Sequence, residues 1–361
     1  MDVNGHARSA ALFSPDYGTA RDRFRAAAAR RDAELHSLQL AADRPDGEKL
    51  AIDIACIGAR DARRVFLHIC GIHGVEAYTG SAVQLALLED APEPGADDAV
   101  VLVHVLNPYG MAWLRRTNEN NVDLNRNFLV SGEKWSGVPP LYRALDPLLN
   151  PPSPPARDAF ALRAAMAALR YGYHGVKDAI AEGQYEFPRG LFFGGTELQP
   201  GPRILIDWLR AHLTSAKYVF ALDLHTGLGR SGTDTAIPEM RVNATPIAAL
   251  EAGLARKLTD VSRPSVAYEV RGSMGAALPR VLAHARVDCV LQEIGTYGAL
   301  TVLHALREEN RWHFFGGGSI VHPVKQRLRE ALCPASPDWR RRAVELGVTL
   351  ARAAAAWTFR E

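Results

Sequence analysis

A chain of 361 residues, 47% hydrophobic and 23% charged, is long enough to bury a substantial core and has an ordinary globular composition. Its 42 basic residues nearly balance 40 acidic ones, and a net charge of +2 argues against any general affinity for nucleic acid or membrane surfaces. No apolar run approaches the roughly 20 residues of a membrane span, and no basic start precedes an apolar core at the N-terminus. The four scattered cysteines form no C-x-x-C pair, so they are expected to pack in the core of a cytoplasmic protein.

In chain order, the pattern predicts a helix over 15–43, strands over 49–58 and 64–70, a helix over 80–90 and a strand over 99–108. Residues 129–155 then carry Trp135, Tyr142 and seven prolines, too many for a simple connector, and predict an ordered excursion over the surface. Helices are predicted over 156–183 and 201–215, a strand over 217–225, helices over 245–260 and 275–285, and a strand over 287–295. Helices over 299–310 and 337–357 complete the pattern. Near-continuous apolar strands separated by helices imply an α/β fold, with a largely parallel or mixed sheet covered on both faces and a single domain over 1–361.

In open α/β sheets, functional groups collect at the carboxyl ends of strands. Four strand ends here carry unusual polar residues: HICGIHGVEAYTG with His73 and Glu76, RRTNENNVDLNRNF, LDLHTG with His225, and LQEIGTYG with Glu293. Two histidines and one carboxylate from separate strand ends suit a catalytic zinc site with a coordination position left open. His73 and Glu76 lie three apart across a strand-to-helix turn, where Gly71 and Gly74 allow a tight bend, and His225 comes from a neighbouring strand. The arginine-rich segment holds side chains suited to gripping a carboxylate or an oxyanion. Asp223, two before His225, either orients that histidine or is a buried structural acid, and Asp123 is read as pinning the arginine loop.

The ordered set H-x-x-E, R-x-N-x-x-x-V-D-x-N-R-N-F, D-x-H and a late Glu followed by T-x-Y-G resembles the M14 zinc carboxypeptidase superfamily. Within it, the pattern is most similar to the domain of unknown function 2817 family, and related to the aspartoacylase and succinylglutamate desuccinylase group. The resemblance implies a mixed, twisted, eight-stranded type of sheet flanked by helices and one zinc ion held by His73, Glu76 and His225. It implies Glu293 as the general base and Arg116 as the arginine that polarises the scissile carbonyl, with Arg115 as the alternative register. Asn125 and Arg126 correspond to the pair that holds a terminal carboxylate, and Tyr268 is offered as the mobile tyrosine that caps the substrate. The implied function is zinc-dependent hydrolysis of an amide bond beside a free carboxylate, on a small peptide or an acyl amino acid. A deacylase of the aspartoacylase type and a non-catalytic zinc-binding relative are the alternatives.

Two other classes fit poorly. GLGRSG at 227–232 matches G-x-G-x-x-G in letters, but TDTAIPEM after it has no helical period, as a dinucleotide fingerprint requires. No G-x-S-x-G occurs, so a nucleophile elbow is missing.

Overall fold

The computed structural model describes residues 9–90, 93–130, 132–239, 244–259 and 270–361. Seven strands, β1 (Glu34–Asp43), β2 (Lys49–Gly58), β3 (Arg64–Cys70), β4 (Asp98–His104), β5 (Tyr218–Gly227), β6 (Asp234–Pro238) and β7 (Arg286–Gly295), form one sheet. Its order is β1-β2-β4-β3-β5-β7-β6, with β4, β3, β5 and β7 parallel and the outer strands antiparallel. Every residue of β4 and β5 is buried, which accounts for their unbroken apolar patterns.

The helices are α1 (Tyr17–Ala29), α2 (Ala77–Glu89), α3 (Pro108–Ala112), α4 (Pro140–Leu149), α5 (Phe160–Tyr171) and α6 (Tyr173–Ala181). They continue with α7 (Pro200–His212), α8 (Ile247–Gly253), α9 (Met274–Val281), α10 (Ala299–Phe315), α11 (Pro323–Leu332) and α12 (Pro337–Thr358). Helix α12 packs on α2, β3 and β5, and α1 packs on α2. Gly347 permits the α12–α2 approach, since a Cβ there would lie 2.6 Å from Val83 Cγ2. Among the described residues, no helix is long and apolar enough to cross a membrane. Cys70, Cys289 and Cys333 are buried and Cys56 is half-buried, all as free thiols.

Three expectations are corrected. The 15–43 segment is a helix followed by a strand, because the chain turns at Asp32 (φ +50°) and Glu34–Gln39 then pair with β2. Sheet partners override the helical pattern there. The 156–183 helix breaks into α5 and α6 at Gly172, whose φ of +80° no continuous helix accommodates. The sheet has seven strands among the described residues, not eight. One edge, β1, is polar and carries a bulge between Gln39 and Asp43, and the other, β6, ends in a proline with no N–H to donate. Helix α4 falls inside the Pro-rich excursion and buries Tyr142, Leu145 and Leu149.

Two fully buried histidines tie stability to pH. His68 meets Gln84 (3.2 Å), and His104 meets Ser81 (2.9 Å) and stacks on Phe24. Burial pushes both imidazoles down to about 4. The unfolded chain therefore takes up these protons first, so their stabilising contribution is full above pH 6.5 and falls as the pH drops towards 4. Each histidine adds a slope of about 1.4 kcal/mol per pH unit in that window. Urea unfolding from pH 7 to 4 is expected to show that slope reduced by one histidine's share in His104→Asn. Identical slopes would remove His104 from the acid response.

Candidate metal centre and its cavity

Strand β3 leaves the core at Gly71, whose φ of +72° turns the chain sharply. At Gly74, a Cβ would stand 2.0 Å from the Gly110 carbonyl carbon, so only glycine lets the turn pass beneath α3. The turn delivers His73, and Glu76 follows just before α2. The adjacent strand β5 brings His225, which pairs in register with Glu293 on β7.

The buried side chains of His73, Glu76 and His225 offer ligand atoms that all lie within 4.8 Å of one another. His73 Nδ1 is 3.0 Å from Glu76 Oε1, and His225 Nδ1 is 3.3 Å from Glu76 Oε2. The two Nδ1 atoms face each other at 3.2 Å. Each ring's outer Nε2 meets a buried carboxylate: Asp123 at 3.0 Å for His73, and Asp223 at 2.8 Å for His225. Carboxylates in this position fix ring orientation and raise the basicity of the inward nitrogen. These three residues can hold a metal ion.

Electrostatics around the three residues reinforce the geometry. Burial opposes ionisation of Glu76, but His73, His225 and Arg116 outweigh it and hold the carboxyl well below its ordinary range. Burial likewise opposes a charge on His225, yet Asp223 and Glu76 raise its value well above the usual one. The acids that favour a proton there also favour a cation. Asp123 is held low against burial, chiefly by Arg116 and His73.

The polar segment supplies the opposite wall. Asp123 caps the short turn Leu124–Arg126 by accepting from Asn125 N. The same carboxylate accepts from Arg116 Nε at 3.1 Å, so it pins the loop as well as orienting His73. Arg116 Nη1 donates to Glu76 Oε1 at 2.9 Å, and its guanidinium lies over the Phe192 ring. Arg115 points elsewhere, donating to Glu309 on α10 and to Asn121. Asn125 Oδ1 accepts from Met274 N at 3.1 Å. Arg126 donates to Ala181 O and to Asn125 O.

Glu293 Oε1 accepts from Leu228 N at 2.8 Å. Burial pushes its carboxyl up to about 7, with the Glu76 charge adding to the rise. GLGRSG, which supplies that amide, is the turn between β5 and β6 and opens no helix. Tyr268 lies outside the described residues.

His73, Glu76, Arg116, Asn125, Arg126, His225 and Glu293 line one cavity of about 390 Å³. Sequence reasoning missed its remaining walls. The α5–α6 hairpin contributes Ala164, Ala168, Val176 and Ile180, and α10 contributes Leu303 and Leu306. Phe192 holds a left-handed φ of +55° beside Arg116, a strained conformation of the kind found at functional sites. Glu239 also reaches the cavity, and nothing in the letters IPEM sets it apart from a surface acid.

Among solved structures, the chain is similar to bovine thrombin-activatable fibrinolysis inhibitor, with 10% identity over 92% of this chain and 97% of that one and a TM-score of 0.44. It is similar to carboxypeptidase A from Helicoverpa armigera at 13% identity, covering 88% and 74% of the two chains with a TM-score of 0.45. A murein-tripeptide amidase from Escherichia coli O157 is 18% identical over 77% of this chain and 92% of its own, with a TM-score of 0.40. Comparison with curated protein sequences returns no match. The model of the family described as protein of unknown function, DUF2817, matches residues 13–345, and the chain therefore belongs to that family.

Proposed function

We propose that this protein is a zinc-dependent hydrolase that cleaves an amide bond beside a free carboxylate. The observation that carries the reading is the convergence of His73, Glu76 and His225 within one cavity that Glu293 and Arg116 also line. The donor set fits zinc: two imidazoles and one carboxylate, both rings braced from behind, match a catalytic site with an open position. When bound, zinc supplies Lewis acidity and lowers the pKa of water to roughly 7.

The chain's own residues divide the remaining work. Glu293, with a carboxyl near 7, takes a proton from the attacking water and returns it to the leaving amine. Arg116, held by Asp123 and Glu76, is placed to donate to the oxyanion that forms on the carbonyl. Asn125 and Arg126 receive the terminal carboxylate, and Arg126 retains N–H groups beyond those given to backbone carbonyls.

A second reading, an N-acyl amino-acid deacylase, draws support from the apolar walls of α5, α6 and α10, which suit an acyl chain. Both readings are tested by assaying zinc-loaded protein against dipeptides and N-acyl amino acids. A preparation that binds no zinc and cleaves nothing sinks both. Arg126→Ala is expected to raise KM about tenfold or more for carboxylate-bearing substrates and to change little for their amidated forms. Equal losses on both would remove Arg126 from carboxylate binding.

A further inference from the structure

Helices α5 and α6 form a hairpin that is fixed at its ends and bare between them. Phe160, the buried residue of α5, stacks on His304 of α10, and α6 buries Ala179, Ile180 and Ala181. No residue from 161 to 178 is buried. Yet this stretch holds five of the nine large apolar side chains that stand exposed among the described residues: Leu162, Met166, Leu169, Tyr171 and Tyr173. Leu162 is 63% exposed and Leu169 89%. Scattered exposed apolar residues need no explanation, but a cluster of this kind marks a surface that meets a partner.

The inner side of the same hairpin faces the metal centre, where Ala164, Ala168, Val176 and Ile180 line the cavity. Leu228 and Leu300 line it too and are exposed, so the cavity mouth opens beside the hairpin.

Charge and residue type narrow the occupant. Residues 159–177 contain Arg163, Arg170 and Lys177 but no aspartate or glutamate. The balanced total charge of the chain hides this local excess. Tyr171 and Tyr173 flank Gly172 at the junction of the two helices, and the Arg170 guanidinium lies 5.2 Å from the centre of the Tyr171 ring. Tyrosines and cations set among exposed Leu and Met are the side chains that a lipid headgroup boundary accommodates. A second copy of the chain fits less well. A two-fold contact through this face would set cations against cations, with no acid of the same segment to meet them.

We propose that the α5–α6 hairpin docks on an anionic lipid surface, with Leu162, Met166 and Leu169 entering the headgroup boundary and Arg163 and Arg170 meeting lipid phosphates. Docking brings the cavity mouth to the bilayer. The inference goes beyond the amide-hydrolase reading, and its test needs neither metal nor turnover.

The full chain is sedimented with vesicles of phosphatidylcholine alone or of an equal mixture with phosphatidylglycerol. Binding to the mixed vesicles is expected to be about tenfold or more tighter than to the neutral ones and to weaken as salt rises. The triple variant Leu162→Gln, Met166→Gln and Leu169→Gln keeps good helix formers and is expected to bind mixed vesicles about tenfold or more weakly than wild type. Arg163→Gln with Arg170→Gln leaves the apolar groups in place and is expected to cut the preference for mixed vesicles several-fold. Absence of binding, equal binding to both vesicles, a triple variant that binds like wild type or an arginine pair without effect each overturns the proposal. So does a wild type that binds no vesicle but forms dimers that the triple variant loses, which would make this face an interface between copies. Failure of the hydrolase reading looks different: vesicles are bound, yet no dipeptide or N-acyl amino acid is cleaved.

Discussion

Glu293→Gln is expected to lower kcat by roughly 10²–10⁴-fold while metal content stays at the wild-type level. Glutamine keeps the size of the side chain and can still accept the hydrogen bond from Leu228 N, so the turn between β5 and β6 is preserved. It cannot take a proton from water. The half-buried carboxyl near 7, raised by desolvation and by Glu76, is matched to proton transfer at neutral pH, and an amide offers no substitute. Metal measured by atomic emission and turnover on the best substrate of the panel decide the matter together. A variant that keeps a tenth of the wild-type rate would take proton transfer away from Glu293.

His73→Ala is expected to abolish metal retention after dialysis and, with it, activity. The substitution removes one of three donors and the ring whose Nε2 meets Asp123. Asp123→Asn provides the contrast, because it keeps all three donors and weakens the support behind them, at the outer nitrogen of His73 and at Arg116 Nε. Losing such an outer partner costs about 10–100-fold in metal affinity, so the alanine variant should fall below it. Metal affinity measured by competition with a chelator orders the two variants. An alanine variant that binds as tightly as wild type would remove His73 from the site.

Much of this arrangement was legible in the letters, for identifiable reasons. The strands at 49–58 and 64–70 have the predicted bounds because their apolar runs are bordered by glycines and charges. His73, Glu76, His225 and Glu293 stood out because each interrupts or closes an apolar run at a strand's carboxyl end. The two arginines show where such reading stops. Arg115 and Arg116 are adjacent, and their carbonyls accept from Val75 N and Gly74 N. Their side chains part, one reaching Glu309 and the other Glu76. Nothing in the pair RR distinguishes them, since the choice depends on what α10 and the β3 turn present on either side.

The sequence by itself determined the α/β class, the central strands and the residue types from which a metal centre can be built, because periodicity and strand-end chemistry are local properties. Only the tertiary structure decided which acids stand behind the histidines. His73 meets Asp123 from 50 residues away, while His225 meets Asp223 from two, and only the second is hinted at by strand alternation. The tertiary structure also placed the α5–α6 hairpin over the site and brought Glu239 to the cavity wall. Burial and pairing depend on neighbours brought from distant parts of the chain, and a lone glutamate after a proline carries no mark of either.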